Sequence, residues 1–496
     1  MTRRPLGPIT LPTSWRHRWT QSPTSIALAT IIGENPIPLD APLAGYTETL
    51  LLDGNLSEQL AGARSLQNPN TTLPSVAALV ALHPVVFPIA MRSLGLHGGV
   101  STSVWLNLIA TIGARVHPNP RSWSGAWISL MDAAPATDPA VRGALLALEP
   151  VVTQVELQPP GVLAGYRCAI ALRFDRIDQG QRAETCATGN DAWRSLSTLA
   201  VRARPPVAPA ILAEQLHNIL VRGSSDPRVV EPVAQATVLL PVANARPLLL
   251  LMVENRDPGV LAALLEALHD HVPLARSLPP SVLNRLLESP FDLPEPSSLE
   301  ARLHAITLRR ALQLPAVDVP TTVRALRQAA QPDAGISPQS ALVAPPTLAG
   351  TWVIQTTAGT IRVALRADTA PEALRTLLDA TRSGLYRSTT FHRVVPGFVA
   401  QGGDPRGDGY GGTTRIVPTE LSGARFERGA VGIALAGLDT GGAGFFITLT
   451  DSPFLDARYP YVGQVVSGME VADRLMTGDE IVSVGISPPG DAPSEP

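Results

Sequence analysis

Few residues in this 496-residue chain have the type and spacing to do chemistry. His392 and Arg393 stand side by side; on a surface such a pair is ordinarily solvated, whereas in a cleft it offers a rigid cationic donor. The run Gly-Asp-Gly-Tyr-Gly-Gly at 407–412 has the glycine content of a phosphate-cradling loop. No Gly-Lys-Ser/Thr follows it, and the chain contains no lysine, so a P-loop is excluded. Asp404, Asp408 and Asp439 sit in turns without the ligand spacing of a metal site. His269 and His271 lie two apart on a helical segment, do not share a face, and read as solvated or capping residues. The two cysteines, Cys168 and Cys186, make neither a disulfide framework nor a zinc site; one bridge or two unpaired thiols both fit. Neither a metal nor a cofactor is expected.

These residues must be positioned by a chain too long for one compact core, with room for about two to four domains. Apolar residues make up 45% and charged residues only 16%, which argues against a disordered chain. The net charge is −3 and no basic stripe appears, so nucleic acid is not an expected partner. All 39 basic residues are arginine, a side chain suited to bidentate contacts with carboxylates. The most apolar window, Leu73 to Leu96, is broken by His83, Pro84, Pro88 and Arg92 and reads as buried helix rather than membrane span. The basic N-terminus is followed by no continuous apolar stretch, which argues against a signal peptide. A cytoplasmic location is the expectation, and a periplasmic one would require a start upstream of Met1.

Residues 1–45 are Pro-rich and show no period. From 46 to 330 the pattern is helical: LSEQLAGARSL (56–66), PPVAPAILAEQLHNILV (205–221) and LEARLHAITLRRALQL (299–314) place apolar residues three and four apart. Three segments open on Asp-Pro, at Asp138, Asp226 and Asp257, where Asp caps the first turn and Pro is tolerated at the first helical position. Their intervals are irregular. The pattern resembles HEAT-type repeats, a stacked α-solenoid; the plain alternative is that Asp-Pro starts ordinary helices of an irregular domain. Residues 331–349, rich in Pro, Gly and Ser, form a linker.

Beyond the linker the period changes. Val353 and Gln355 precede a turn at Ala358-Gly359, and Ile361, Val363 and Leu365 then alternate with polar or small residues, which predicts a hairpin. Thr369 with Glu372 has capping-box spacing and Pro371 sits in the first turn of a predicted helix with an Ala373, Leu374, Leu377 and Leu378 stripe. Short strands and glycine-rich turns fill the remainder, the pattern of a small closed β-barrel with helices over its ends.

Three blocks then say more than periodicity can. FHRVVPGFVAQGGDPRGDGYGG (391–412) is similar to the signature of the cyclophilin-type peptidyl-prolyl cis/trans isomerases. VGIALAGLDTGGAGFFITL (431–449) resembles the family's second block, and LDARYPYVGQVVSGMEVADRL (455–475) its closing strand and helix. The resemblance spans 350–490 and leaves a short tail at 491–496. It implies a cyclophilin-like closed β-barrel with two helices, which with the HEAT-like α-helical region before it makes a multidomain protein. It also implies roles: Arg393 matches the catalytic arginine and Gln401 the glutamine that orients it. Phe398, Val399, Phe446 and Leu455 match the apolar seat for proline. Ala434 and Leu435 match the strand that binds substrate backbone. Phe454 stands where many members have Trp and others Phe, Tyr459 where many have His, and His392 adjoins the arginine without a proton to move. The glycine run 407–412 becomes a flexible loop near the pocket rim.

One position departs from the family. Ala443-Gly444 replaces the usual Ser-Gln before the paired phenylalanines, removing a glutamine that lines the site. Loss of one polar contact costs about 1 kcal/mol, which is roughly five- to tenfold in rate. The expected function is therefore isomerisation of X-Pro bonds in peptides or proteins, with the helical region recruiting a client or protein partner. The alternative is a catalytically weak module that grips proline segments on a helical-repeat scaffold.

Overall fold

The computed structural model describes residues 41–153, 209–317 and 348–487, together with Ile32, apart from internal stretches at 98, 117–125, 127–128, 132, 136–137, 224–226, 239, 294–296 and 413–415. Both cysteines, Asp226, most of the Pro-rich N-terminal segment, residues 331–347 of the linker and the 491–496 tail lie outside the described residues. The chain separates into two compact units. One comprises residues 1–157 with 395–399 and 449–451; the other comprises 158–394, 400–448 and 452–496.

The first unit is mainly helical, with helices that include Ala41–Asp53, Leu56–Ser65, Phe87–His97, Thr102–Val116 and Pro139–Thr153. Local chemistry starts them. The Asn55 side-chain oxygen accepts from Glu58 N at 3.1 Å while the Glu58 carboxylate accepts from Asn55 N at 2.9 Å, a reciprocal cap. Asp138 caps Pro139–Thr153 by accepting from Ala140 N at 2.9 Å, as the Asp-Pro reading expects. Leu66, Met91, Trp105, Leu108 and Ile112 are buried. The apolar window at 73–96 folds as two helices, Val76–Val80 and Phe87–His97, separated by turns at 81–86 and partly buried, and among the described residues no helix is long and apolar enough to cross a membrane. In the inserted segment Gly397 takes φ +68°, and a Cβ there would collide with Ile89, so both backbone and packing demand glycine.

The second unit begins with helices Pro209–Gly223, Pro227–Thr237, Val242–Met252, Pro258–Asp270, Pro280–Glu288 and Leu299–Ala311. Every residue from Gly259 to Leu265 is buried, so the Pro258–Asp270 helix is enclosed on all sides rather than along one stripe. Asp257 caps it, accepting from Gly259 N at 2.9 Å and Val260 N at 3.2 Å. His271 starts the next short helix by accepting from Leu274 N at 3.3 Å, the capping role that its sequence position allows.

Nine strands follow: β1 Leu348–Thr356, β2 Gly359–Arg366, β3 Thr389–Thr390, β4 Arg393–Val395, β5 Val399–Gly402, β6 Ala430–Ile433, β7 Phe445–Thr448, β8 Tyr461–Ser467 and β9 Glu480–Ser487. β1 and β2 form the expected hairpin, with Thr356 paired to Gly359 and Ile361, Val363 and Leu365 turned inward. The sheet order is β3-β9-β1-β2-β8-β6-β7-β5-β4. That order has two ends, so in place of the expected closed barrel the sheet is curled, a half-barrel, and among the described residues an isolated bridge from Thr390 to Asp404 connects β3 with the segment after β5. Trp352, Tyr386, Phe391 and Phe445 fill its interior with ring centroids 4.9 to 6.0 Å apart.

Helices Pro371–Arg382 and Met469–Ala472 accompany the sheet. The first buries Ala373, Leu374 and Leu377 as predicted, but its start differs from the predicted capping box. The Thr369 hydroxyl donates to Tyr461 O at 2.7 Å, which removes it from the helix end. Glu420 takes over, accepting from Glu372 N at 3.1 Å and Ala373 N at 2.8 Å. A distant carboxylate thus satisfies the orphan amides and complements the helix dipole, so the local motif is not needed.

Candidate active site

Arg393 opens β4 and is exposed, while Gln401 lies half-buried on β5, the adjacent strand. The pairing aligns them: Arg393 Nη1 donates to Gln401 Oε1 at 3.4 Å, a long hydrogen bond that steers the guanidinium without locking it. Desolvation by surrounding protein lowers the Arg393 pKa from the ordinary arginine value, and the Tyr459 and Glu266 charges act in the opposite direction. Arginine starts so far above neutrality that it keeps its charge.

His392 precedes β4 and its ring nitrogens are buried. Burial and the neighbouring Arg393 charge outweigh Asp404 and lower its pKa, which keeps the imidazole neutral at neutral pH. Gly409 approaches closely enough that a Cβ there would stand 3.5 Å from the ring.

The apolar residues group on β7 and after it. Phe446 on β7 is 5% exposed, stacks on Phe426 at 5.5 Å and meets Tyr459 edge-on at 5.5 Å. Leu455 is buried in a single helical turn, Pro453–Leu455, whose Phe454 is 56% exposed. Ala434 and Leu435 follow β6 directly and are half-buried; Ala434 N donates to Gly444 O at 2.9 Å. Phe398 and Val399 belong to the segment grouped with the first unit. There Phe398 N donates to Val395 O at 3.0 Å, its carbonyl accepts from Leu449 N at 2.8 Å, and Val399 is buried. Within the second unit, then, Arg393 and Gln401 are brought together, and so are Phe446 and Tyr459.

The departing pair is accommodated without strain. Ala443 is buried and its carbonyl accepts from Tyr386 Oη at 3.0 Å. Among the described residues a Cβ on Gly444 would meet only Ala434 Cβ, at 3.6 Å, an ordinary contact, so the position accepts a Cβ that the sequence does not supply.

The glycine-rich loop corrects an expectation. It is tied down rather than flexible: the Asp404 carboxylate accepts from Arg406 N at 2.9 Å, Asp408 N at 3.0 Å and Gly409 N at 2.6 Å. Arg406 extends from it to Glu231 at 2.7 Å and Asp257 at 3.1 Å, and Tyr410 packs against the helical core. The sequence marks Asp257 as a helix cap but gives no sign of its contact with Arg406, nor of any role for Arg406, Glu231 and Glu266. Their partners lie 144 to 175 residues away, and no local pattern marks such pairs.

Comparison with known proteins follows the same boundaries. A family model described as cyclophilin type peptidyl-prolyl cis-trans isomerase/CLD matches residues 351–487. A Helicobacter pylori protein named peptidyl-prolyl cis-trans isomerase is 38% identical over 139 residues, covering 27% of this chain and 86% of the relative. Peptidyl-prolyl cis-trans isomerase B of Bacillus subtilis is 38% identical over 128 residues, covering 25% of this chain and 90% of that one. A crystal structure of a Cryptosporidium parvum cyclophilin type peptidyl-prolyl cis-trans isomerase in the presence of the dipeptide Ala-Pro aligns at 28% identity with a TM-score of 0.26, over 28% of this chain and 98% of that one.

Proposed function

Through residues 351–487 the chain belongs to the cyclophilin-type peptidyl-prolyl cis-trans isomerases, and we propose that it turns over X-Pro bonds at the cleft beside Arg393. The protein is an enzyme of that class, and its substrates are proline-containing peptides. Rotation about an X-Pro bond is slow because amide resonance imposes a barrier of about 18–20 kcal/mol. In the twisted amide the nitrogen becomes pyramidal and regains a lone pair. A fixed cationic donor aimed at that nitrogen stabilises the twisted state over either planar one, which is differential binding of the transition state.

In this reading Arg393 is that donor, and the observation that carries it is the Arg393–Gln401 hydrogen bond between adjacent strands. Gln401 orients the guanidinium and contacts substrate. Phe398, Val399, Phe446 and Leu455 seat the proline ring, with Phe454 and Tyr459 at its margin. Ala434 and Leu435 offer backbone groups to the peptide. His392 serves by packing, since isomerisation moves no proton and its ring is held neutral.

The isomerase domain in this reading is 350–490, joined by the 331–349 linker to helices that form a HEAT-like scaffold for clients or a protein partner. The Asp-capped starts at Asp138 and Asp257 support the repeat reading. A second reading, a proline-segment binder of low turnover, is favoured by one observation: Gly444 leaves side-chain space empty beside Ala434. A protease-coupled assay on an Xaa-Pro peptide separates the two. Turnover by wild type that falls about a hundredfold or more in Arg393→Ala supports the enzyme site proposed here. A folded wild type that binds the peptide without accelerating it favours the binder.

A further inference from the structure

The loop at 404–412 is bound from two sides. On its own side Asp404 gathers three of its amides, and Asp408 accepts from Arg406 Nε at 2.9 Å and Tyr410 N at 2.9 Å. On the helical side, Arg406 Nη1 donates to both Asp257 oxygens at 3.1 Å, and Nη2 donates to Glu231 Oε1 at 2.7 Å. Asp257 is also the cap of the Pro258–Asp270 helix, so one carboxylate starts that helix and holds the loop. Tyr410 packs against the buried helical cluster and its hydroxyl donates to Glu266 Oε2 at 3.4 Å. The fit leaves no slack. A Cβ on Gly259, in the first turn of the helix, would collide first with the buried Glu231 carboxylate and would stand 2.8 Å from Arg406 Nη2 and 2.9 Å from Tyr410 Cβ.

We propose that Arg406 and Tyr410 are positioning residues for the isomerase reaction: they pin the glycine-rich loop to the Pro258–Asp270 helix and thereby fix the wall of the cleft beside His392 and Arg393. The inference rests on the isomerase reading of that cleft. The loop contains Gly407, Gly409, Gly411 and Gly412, and a free chain of that composition would lose much conformational freedom on closing around a peptide. Docking on the helix removes that freedom before substrate arrives, which strengthens binding without new substrate contacts. The loop reaches the site at Gly409, where a Cβ would stand 3.5 Å from the His392 ring. Glu266, on the same helix, is one of the charges that act on Arg393. Arg393 stays exposed with the loop docked on the helix.

The test uses the full chain, with kcat and KM measured on one Xaa-Pro peptide. Arg406→Ala is expected to raise KM about fivefold or more with kcat changed less than about twofold, and Arg406→Lys to fall between. Gly259→Ala is the companion variant: alanine favours helix, and its methyl displaces the Glu231–Arg406 contact together with Tyr410, with circular dichroism confirming that the variant is folded. It is expected to reproduce the KM rise although residue 259 lies on the helix and not on the loop. Unchanged KM in folded Gly259→Ala and Arg406→Lys would overturn the inference, and so would a lowered KM, which would make the docked helix an obstruction. A wild type without turnover would instead overturn the isomerase reading beneath it.

Discussion

At Arg393 the reaction needs a donor that stays charged while the protein around it desolvates it, and arginine alone among the cationic side chains does so reliably. Its neighbour at 401 holds it by a long hydrogen bond, so the two act as a unit and single substitutions will not add. Gly444 is the other residue on which turnover depends in the proposed site. Its carbonyl pairs with Ala434 N, but its side-chain space is empty apart from Ala434 Cβ at 3.6 Å. Gly444→Gln is therefore expected to fold normally and to raise kcat/KM by about five- to tenfold, the value of one recovered polar contact. Steady-state kinetics on a single peptide checks it, and an unchanged rate would mean that the missing glutamine is not what limits this enzyme. The candidate site is legible in the sequence where it is contiguous: Arg393, Phe398 and Gln401 fall within one short run, whose strands β4 and β5 are neighbours in the sheet. The state of the glycine loop was not legible, because composition reports freedom of the backbone and says nothing of a partner that removes it.

The elements divide along the same line. The β1–β2 hairpin follows from alternation, and the Asp138 and Asp257 caps follow from Asp-Pro, since both signals lie within a few residues. The start of Pro371–Arg382 does not. Thr369 and Glu372 have the right spacing, yet Glu420 holds the amides from 47 and 48 residues away. Glu420→Ala should cost about 0.5–2 kcal/mol, the usual price of a lost cap, and Glu420→Gln less because an acceptor remains. Denaturant unfolding of the two variants measures the difference; equal losses would show that the negative charge, not the acceptor, carries the cap.

For the whole molecule, the junction between the helices and the loop of the sheet, both within the second unit, makes stability depend on pH. Burial first, and then the Asp408 carboxylate, raise the Glu231 pKa to about 10, with Arg406 opposing. The folded chain therefore keeps a proton that the unfolded chain gives up above the ordinary glutamate value of 4.5. By linkage, this group lowers stability as pH rises from 4.5 towards 10, the reverse of an ion-paired carboxylate with a depressed pKa. Unfolding free energy should fall between pH 5 and pH 9 in wild type and fall less in Glu231→Gln; parallel pH curves would remove Glu231 as the cause. Long-range pairs of this kind, 175 residues apart in the case of Arg406 and Glu231, are what one sequence hides most completely. The central claim is nonetheless about one bond and one side chain. Exchange NMR on an Xaa-Pro peptide, with catalytic amounts of the full chain and no coupling protease, observes cis/trans interconversion directly. Exchange cross-peaks are expected with wild type and are expected to vanish with Arg393→Ala while the peptide still binds. Binding with no added exchange in wild type, or exchange that survives in Arg393→Ala, would contradict that claim.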